Sequence, residues 1–262
     1  MKLSISNIAW SAEHDEEMYK FLSTVDFHGL EIAPTRIFPE KPYERLSEAK
    51  EFAKRLFDEH GLRISSMQSI WYGRTESIFG SAEERQSLID YTKTAIEFAA
   101  AIDCGNMVFG CPKNRNIADG TENAAQIATA FFSEIAAYAT EYGTVMALEP
   151  NPPIYGTNFI NKTGEAFEFC RKIQGLKVNV DLGTMIYYDE PVSLIADNLD
   201  YVNHIHFSEP KLVPLEKREL QRHLLALPFD GYFSIEMGNP NDFDKVKQTI
   251  EYIAGLAKEV RA

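Results

Sequence analysis

Four side chains able to bind a cation or move a proton recur along the second half of the 262-residue chain, each about one structural repeat from the next. Glu149, Asp181, His206 and Glu236 are separated by 32, 25 and 30 residues. Each closes a short apolar run. Successive side chains of a strand point to opposite faces, and the parity agrees in all four runs. In Val145-Met146-Ala147-Leu148-Glu149, Met146 and Leu148 face outwards, while Val145, Ala147 and Glu149 face inwards. In Val178-Asn179-Val180-Asp181 the valines face outwards, leaving Asn179 and Asp181 inside. His204 and His206 share the inward face of His204-Ile205-His206-Phe207, as do Ser234 and Glu236 in Phe233-Ser234-Ile235-Glu236. Three carboxylates converging on one imidazole repel one another; at about 4 Å and an effective dielectric of 20, each like-charged pair costs on the order of 4 kcal/mol. A divalent cation removes the conflict, and mostly oxygen donors with one nitrogen suit Mn²⁺, Mg²⁺ or Co²⁺ better than zinc. His204, one layer deeper, reads as a hydrogen-bonded interior histidine.

For the four groups to meet, their runs must be neighbouring strands of one sheet. β-rich runs occur near 3–8, 28–32, 62–68, 105–110, 144–149, 177–181, 201–207 and 231–236. Helical segments lie between and after them, near 15–24, 43–60, 82–102, 121–142, 163–173, 191–198, 216–226 and 242–260. Eight strands each followed by a helix predict a parallel sheet with crossover helices. Eight such units close a single-domain (β/α)8 barrel over residues 1–262. Local signals agree. Ser81-Ala82-Glu83-Glu84 is a capping box, Gly61 and Gly143 are helix stops, and Ile127, Ala128, Phe131, Phe132, Ile135 and Tyr138 form an apolar stripe. The longest irregular stretches, 33–42, 69–80, 111–120, 150–162 and 208–215, are strand-to-helix loops, which line the mouth where barrel enzymes keep their sites.

Composition narrows the partners. Hydrophobic residues make up 45% and charged residues 25%, an ordinary soluble globular balance. The net charge of −13 opposes a nucleic-acid partner, which needs a basic footprint. No apolar run approaches the length of a membrane span. Three cysteines, Cys104, Cys111 and Cys170, form no Cys-x-x-Cys pair and indicate neither a disulfide framework nor a zinc knuckle. The N-terminal residues read as a strand and not as a signal peptide, so the expected compartment is the cytoplasm. Apolar residues on the outer helices leave a homo-oligomer open. Cys111 has no His-plus-acid arrangement for a thiol nucleophile, and no Gly-x-Gly-x-x-Gly or phosphate-loop motif occurs.

The chain resembles the xylose isomerase-like superfamily of TIM barrels, the sugar phosphate isomerase/epimerase family. The resemblance rests on Gly29-Leu30-Glu31-Ile32, Ala147-Leu148-Glu149-Pro150-Asn151, Val180-Asp181-Leu182-Gly183, His204-Ile205-His206-Phe207-Ser208-Glu209 and Ser234-Ile235-Glu236. It implies that Glu149, Asp181, His206 and Glu236 bind one divalent metal and that Glu149 and Glu236 are the catalytic acid/base pair. Proton transfer next to a carbonyl through an enediolate would then isomerise or epimerise a sugar or sugar derivative. Two positions depart from the ketose 3-epimerase branch. Thr184 stands where a histidine usually follows the metal aspartate, and Tyr155 stands where a substrate-binding glutamate is usual. The endonuclease-like members need a histidine-rich three-zinc cluster, whereas His14, His28 and His60 fall away from the mouth.

Candidate substrate contacts come from the loops: Arg36 after strand 2, Gln68 at the end of strand 3, Lys113 and Arg115 after strand 4, Asn151 and Tyr155 after strand 5, and Glu209 and Lys211 after strand 7. Arg36, Lys113, Arg115 and Lys211 would ring the mouth and hold a phosphate or carboxylate. Trp71 and Tyr72 would stack on a sugar or close the mouth, and Glu31 would pair with Arg36 or bond substrate. Two alternatives share the site: a metal-dependent lyase or dehydratase, which also begins with α-proton removal, and a non-catalytic sugar-binding barrel.

Overall fold

The computed structural model describes residues 1–261. The strands are β1 (Lys2–Ser6), β2 (Gly29–Ile32), β3 (Arg63–Met67), β4 (Met107–Phe109), β5 (Met146–Leu148), β6 (Lys177–Asp181), β7 (Val202–Phe207) and β8 (Tyr232–Ile235). Each pairs in parallel with the next, and β8 returns to β1, closing the barrel in sequence order. The helices are α1 (Asp15–Leu22), α2 (Pro34–Ile37), α3 (Leu46–His60), α4 (Ala82–Ala101), α5 (Ala124–Glu141), α6 (Thr163–Cys170), α7 (Leu182–Tyr188), α8 (Val192–Ala196), α9 (Glu219–Leu225) and α10 (Phe243–Arg261). Ser81 caps α4 with the expected reciprocal bonds to Glu84, and Gly61, at φ 69°, ends α3. No described helix is long and apolar enough to cross a membrane.

Two short helices depart from the sequence reading. The sequence predicts an irregular stretch over 33–42, yet Pro34–Ile37 forms one turn, started by a proline whose fixed φ suits a first helical position. More consequentially, α7 begins immediately after Asp181. The Asp181 carboxylate accepts from Thr184 N at 2.7 Å and so caps the helix. The side chain that closes β6 thus also starts the next helix, which leaves it little freedom.

The outward rows, including Leu3, Ile5, Leu30, Ile32, Met146, Leu148, Val178, Val180, Ile205, Phe207, Phe233 and Ile235, are buried in the apolar core. The barrel interior is polar. Ser4 Oγ lies 2.6 Å from Ser65 Oγ, and Asn106 Nδ2 donates to Ser66 Oγ. Asn203 Nδ2 reaches from β7 to Asn106 Oδ1, and His206 reaches from β7 to Glu31 on β2. Apart from Asn106–Ser66, which lies beside the Met67–Met107 pair of β3 and β4, these bonds cross the barrel between strands that are not neighbours, so side chains supply bonding that an aliphatic barrel core would not need.

Register brings the chemistry together. Val178 pairs with Val202, but after a bulge Asn179 pairs with His204 and Asp181 with His206. The extra residue in β7 is what puts Asp181 and His206 side by side on one face. A second bulge, between Leu30 and Glu31, sets Glu31 opposite Ser66.

Candidate metal centre

Ligand atoms of Glu149, Asp181, His206 and Glu236 all lie within 4.8 Å of one another at the C-terminal ends of β5, β6, β7 and β8. The four are nearly excluded from water: Glu149 is 7% exposed, Asp181 4%, Glu236 7% and His206 0%. His206 Nδ1 is 2.8 Å from Glu149 Oε1 and 3.1 Å from Glu236 Oε2. Donors that neighbour one another in an octahedral shell with bonds of about 2.1 Å lie about 3.0 Å apart, and opposite donors about 4.2 Å apart. The spacing and chemistry of the set therefore fit a divalent cation.

Three of the four, His206, Glu149 and Asp181, are held from behind. Glu31, fully buried, is 2.9 Å from His206 Nε2 and 3.1 Å from His204 Nε2, and Gln68 Nε2 donates to it at 3.2 Å. A carboxylate on the far ring nitrogen is the support a metal-binding histidine typically has. Asn151 Nδ2 donates to Glu149 Oε2 at 3.0 Å, and Asn179 Nδ2 donates to Glu149 Oε1 at 2.8 Å. Ser208 Oγ donates to Asp181 Oδ1, and Thr184 binds Asp181 Oδ2 through both N and Oγ1. Two glycines make room. A Cβ on Gly110 would lie 2.9 Å from Glu149 Oε2, and one on Gly183 would lie 3.2 Å from Asp181 Oδ2.

The electrostatics follow from burial and crowding. Burial raises the Asp181 carboxyl above its ordinary value and repulsion from Glu149 adds to it, outweighing the Ser208 and Thr184 bonds. Burial also raises Glu236, against the attraction of His206. For His206 burial opposes the charged ring, but Glu236, Glu31 and Glu149 prevail and hold it well above the usual histidine value. Burial lowers His204, which Glu31 only partly offsets. This is a cluster short of positive charge.

Several of the expected substrate contacts are already engaged by other groups of the protein. Arg36 is not part of a free cationic ring: its guanidinium binds Asp15 at 2.7 and 3.0 Å and the Trp10 carbonyl at 3.2 Å. Glu31 accordingly pairs with the two histidines and not with Arg36. Arg115 is not a loop charge in solvent but wholly buried. Its Nη2 donates to Glu149 O and Asn151 Oδ1, both at 2.7 Å, and burial lowers its pKa to about 10. Glu209 is buried in a bidentate pair with Arg218 at 2.7 Å. Gln68 bonds Ser6 and Glu31. Trp71 is a core residue, edge-on to Phe109 at 4.7 Å, with its indole N–H on Thr92; only Tyr72 of that pair is exposed. Lys113 and Lys211 are exposed on their loops. Tyr155 is half-buried, and its hydroxyl accepts from Lys211 N at 2.7 Å. Lys211 and Leu212 are both left-handed, at φ 66° and 54°, and Gly238 N donates to Leu212 O, so the loops after β5, β7 and β8 are stitched together. A cavity of about 720 Å³ between the β2 loop and α4 shares no lining residue with the cluster.

Sequence reasoning missed the work of Asn179, although its inward parity two residues before Asp181 was the available signal. The pairing of Glu31 with His206 spans 175 residues and left no local signal.

The family described as the xylose isomerase-like TIM barrel matches residues 19–257. The chain belongs to it. No curated protein sequence matches this family member. Among solved structures it is similar to the 3-keto-D-glucoside 4-epimerase of E. coli, at 18% identity and a TM-score of 0.78, over 97% of this chain and 99% of that one. It is also similar to the D-psicose 3-epimerase of Clostridium cellulolyticum H10, at 14% identity and a TM-score of 0.75, over 99% of both chains. A family 2 AP endonuclease of Brucella melitensis shares the fold at 18% identity and a TM-score of 0.73, over 97% of this chain and 99% of that one. Identities this low establish a common xylose isomerase-like barrel; the chemistry has to be argued from the site.

Proposed function

We propose that this barrel is a divalent-metal-dependent sugar isomerase or epimerase, with Glu149 and Glu236 as its acid/base pair. The observation that carries the reading is the placement of these two carboxylates. They come from β5 and β8, lie 2.8 and 3.1 Å from the same nitrogen of His206, and belong to one buried set of cation ligands. Glu149, Asp181, His206 and Glu236 would hold the metal. When bound, it would draw charge from a carbonyl and an adjacent hydroxyl and so acidify the intervening C–H. One glutamate takes the proton from that carbon; the other returns a proton from its own side. Return to the same carbon on the opposite face gives an epimer, and return to the neighbouring carbon gives an isomer. Asn151 and Asn179 orient Glu149 for this work. The half-buried Tyr155, tied to Lys211, stands over the same loops, and exposed Lys113 and Lys211 are the remaining cationic contacts for a substrate. Sugar epimerases among the similar structures support the substrate class, and the net charge of −13 speaks against DNA. Three unpaired cysteines suit a cytoplasmic setting.

The test is turnover in D₂O of a panel of free, phosphorylated and glycosidic ketoses, followed by NMR. The protein places solvent deuterium beside the carbonyl without loss of water. Glu149→Gln and Glu236→Gln each lower the rate by roughly 10²-fold or more while circular dichroism stays native. Either variant turning over at the wild-type rate removes the acid/base assignment, and release of water from the substrate assigns a lyase instead.

A further inference from the structure

A second group of metal-type ligands lies outside the barrel, where α1 packs on α3. His60 is the last residue of α3, and its side chain is only 6% exposed. Its Nε2 is buried and has no hydrogen-bond partner among the described residues. That nitrogen faces two carboxylates. Glu16 Oε2, from the first turn of α1, is 3.5 Å away, and Glu59 Oε2 is 3.9 Å away. Both separations are too long for hydrogen bonds. They lie closer to the donor–donor edge of a tetrahedral zinc shell, about 3.4 Å for bonds of about 2.0–2.1 Å, than to the shorter octahedral edge seen in the mouth. The Tyr19 ring packs on the His60 ring, with centroids 5.7 Å apart, and so limits its rotation. The Tyr19 hydroxyl is also buried without a partner, so the pocket contains two polar groups whose bonding demand is unmet.

We propose that Glu16, Glu59 and His60 form a zinc site that clips α1 to α3. One imidazole and two carboxylates neutralise a dication, and water completes the shell from the exposed side, where both glutamates are more than half in solvent. The longer spacing and the small number of protein donors, three against four at the mouth, select Zn²⁺ over Mg²⁺ or Ca²⁺, which want more oxygen ligands. The site is independent of the reaction at the mouth.

Zinc chloride titrated into metal-stripped protein, followed by calorimetry, tests it. Wild type binds two equivalents, one at the mouth and one outside. His60→Gln binds one. The double variant Glu16→Gln/Glu59→Gln changes only exposed side chains and also binds one, with its zinc-free melting temperature unchanged. Glu236→Gln keeps the outer equivalent. A single wild-type equivalent that disappears in His60→Gln supports the outer site and leaves the mouth to a divalent ion other than zinc. A single equivalent indifferent to His60→Gln overturns the proposal, and so does a second equivalent that survives at unchanged affinity in both outer variants.

Discussion

His206 is the residue on which the candidate centre turns, because its two ring nitrogens do different work. Nδ1 faces Glu149 and Glu236, while Nε2 is fixed by Glu31. If Glu31 is what aims the ring, its charge matters beyond packing. Glu31→Gln keeps the volume, removes the negative charge and frees the imidazole to rotate. The expected result is a loss of metal affinity of roughly 10–100-fold, read by calorimetry with Mn²⁺, with the barrel still folded. Unchanged affinity would leave Glu31 a merely structural partner of His204. The four mouth residues were legible in the sequence because strand parity has a period of two and each ends its run. Glu31 showed its inward register, but its partners did not show, since nothing local encodes which strand lies across a closed barrel. Arg36 was misleading for a related reason: a loop arginine looks free until the fold brings Asp15 to within 2.7 Å of it.

At the level of elements, strand ends and loop starts are interlocked. Asp181 closes β6 and caps α7, and the 3-10 turn Pro112–Arg115 sends a buried guanidinium back to the carbonyl of Glu149. Arg115→Ala strips the bonds to Glu149 O and Asn151 Oδ1 and leaves both acceptors buried. A loss of about 2 kcal/mol or more in unfolding free energy is expected, measurable by urea titration, with weakened metal binding because Asn151 is what holds Glu149 Oε2. A stability within about 0.5 kcal/mol of wild type would show that the loop does not depend on this arginine. The order of strands and principal helices could be read in advance from apolar periodicity, the Ser81 cap and the Gly61 stop. The bulge between Val178 and Asn179 could not, because a one-residue slip depends on which pairing fills the barrel and not on either strand alone. Helix α7 escaped for a similar reason: its N-terminal signal is an aspartate already counted as a strand-end ligand.

Over the whole molecule, a polar barrel interior carries a concentration of negative charge at one end, and the fold tolerates it only with compensation. His206 supplies part of this by holding its proton, and Asp181 and Glu236 are pushed the same way. A dication has to displace those protons, so its binding is linked to pH. All three groups have raised values; acid therefore favours the protonated, metal-free form, and apparent affinity falls as pH falls. At a Mn²⁺ concentration about 100 times Kd, unfolding free energy should rise by about 2.7 kcal/mol. That corresponds to a melting increase of roughly 5–10 °C for a chain of this size. The increase should shrink in scans taken at progressively lower pH. A melting temperature indifferent to Mn²⁺ at every pH would mean that the cluster is stabilised by its own protons and hydrogen bonds alone.

On this reading Glu149, Asp181, His206 and Glu236 share one divalent ion. Anomalous diffraction at the manganese edge, from crystals grown with Mn²⁺ and no chelator, addresses it directly. One strong peak is expected within coordination distance of all four side chains, with His206 bound through Nδ1 and Glu31 still on Nε2. No peak there, with His206 still hydrogen-bonded to Glu149 and Glu236, would contradict it.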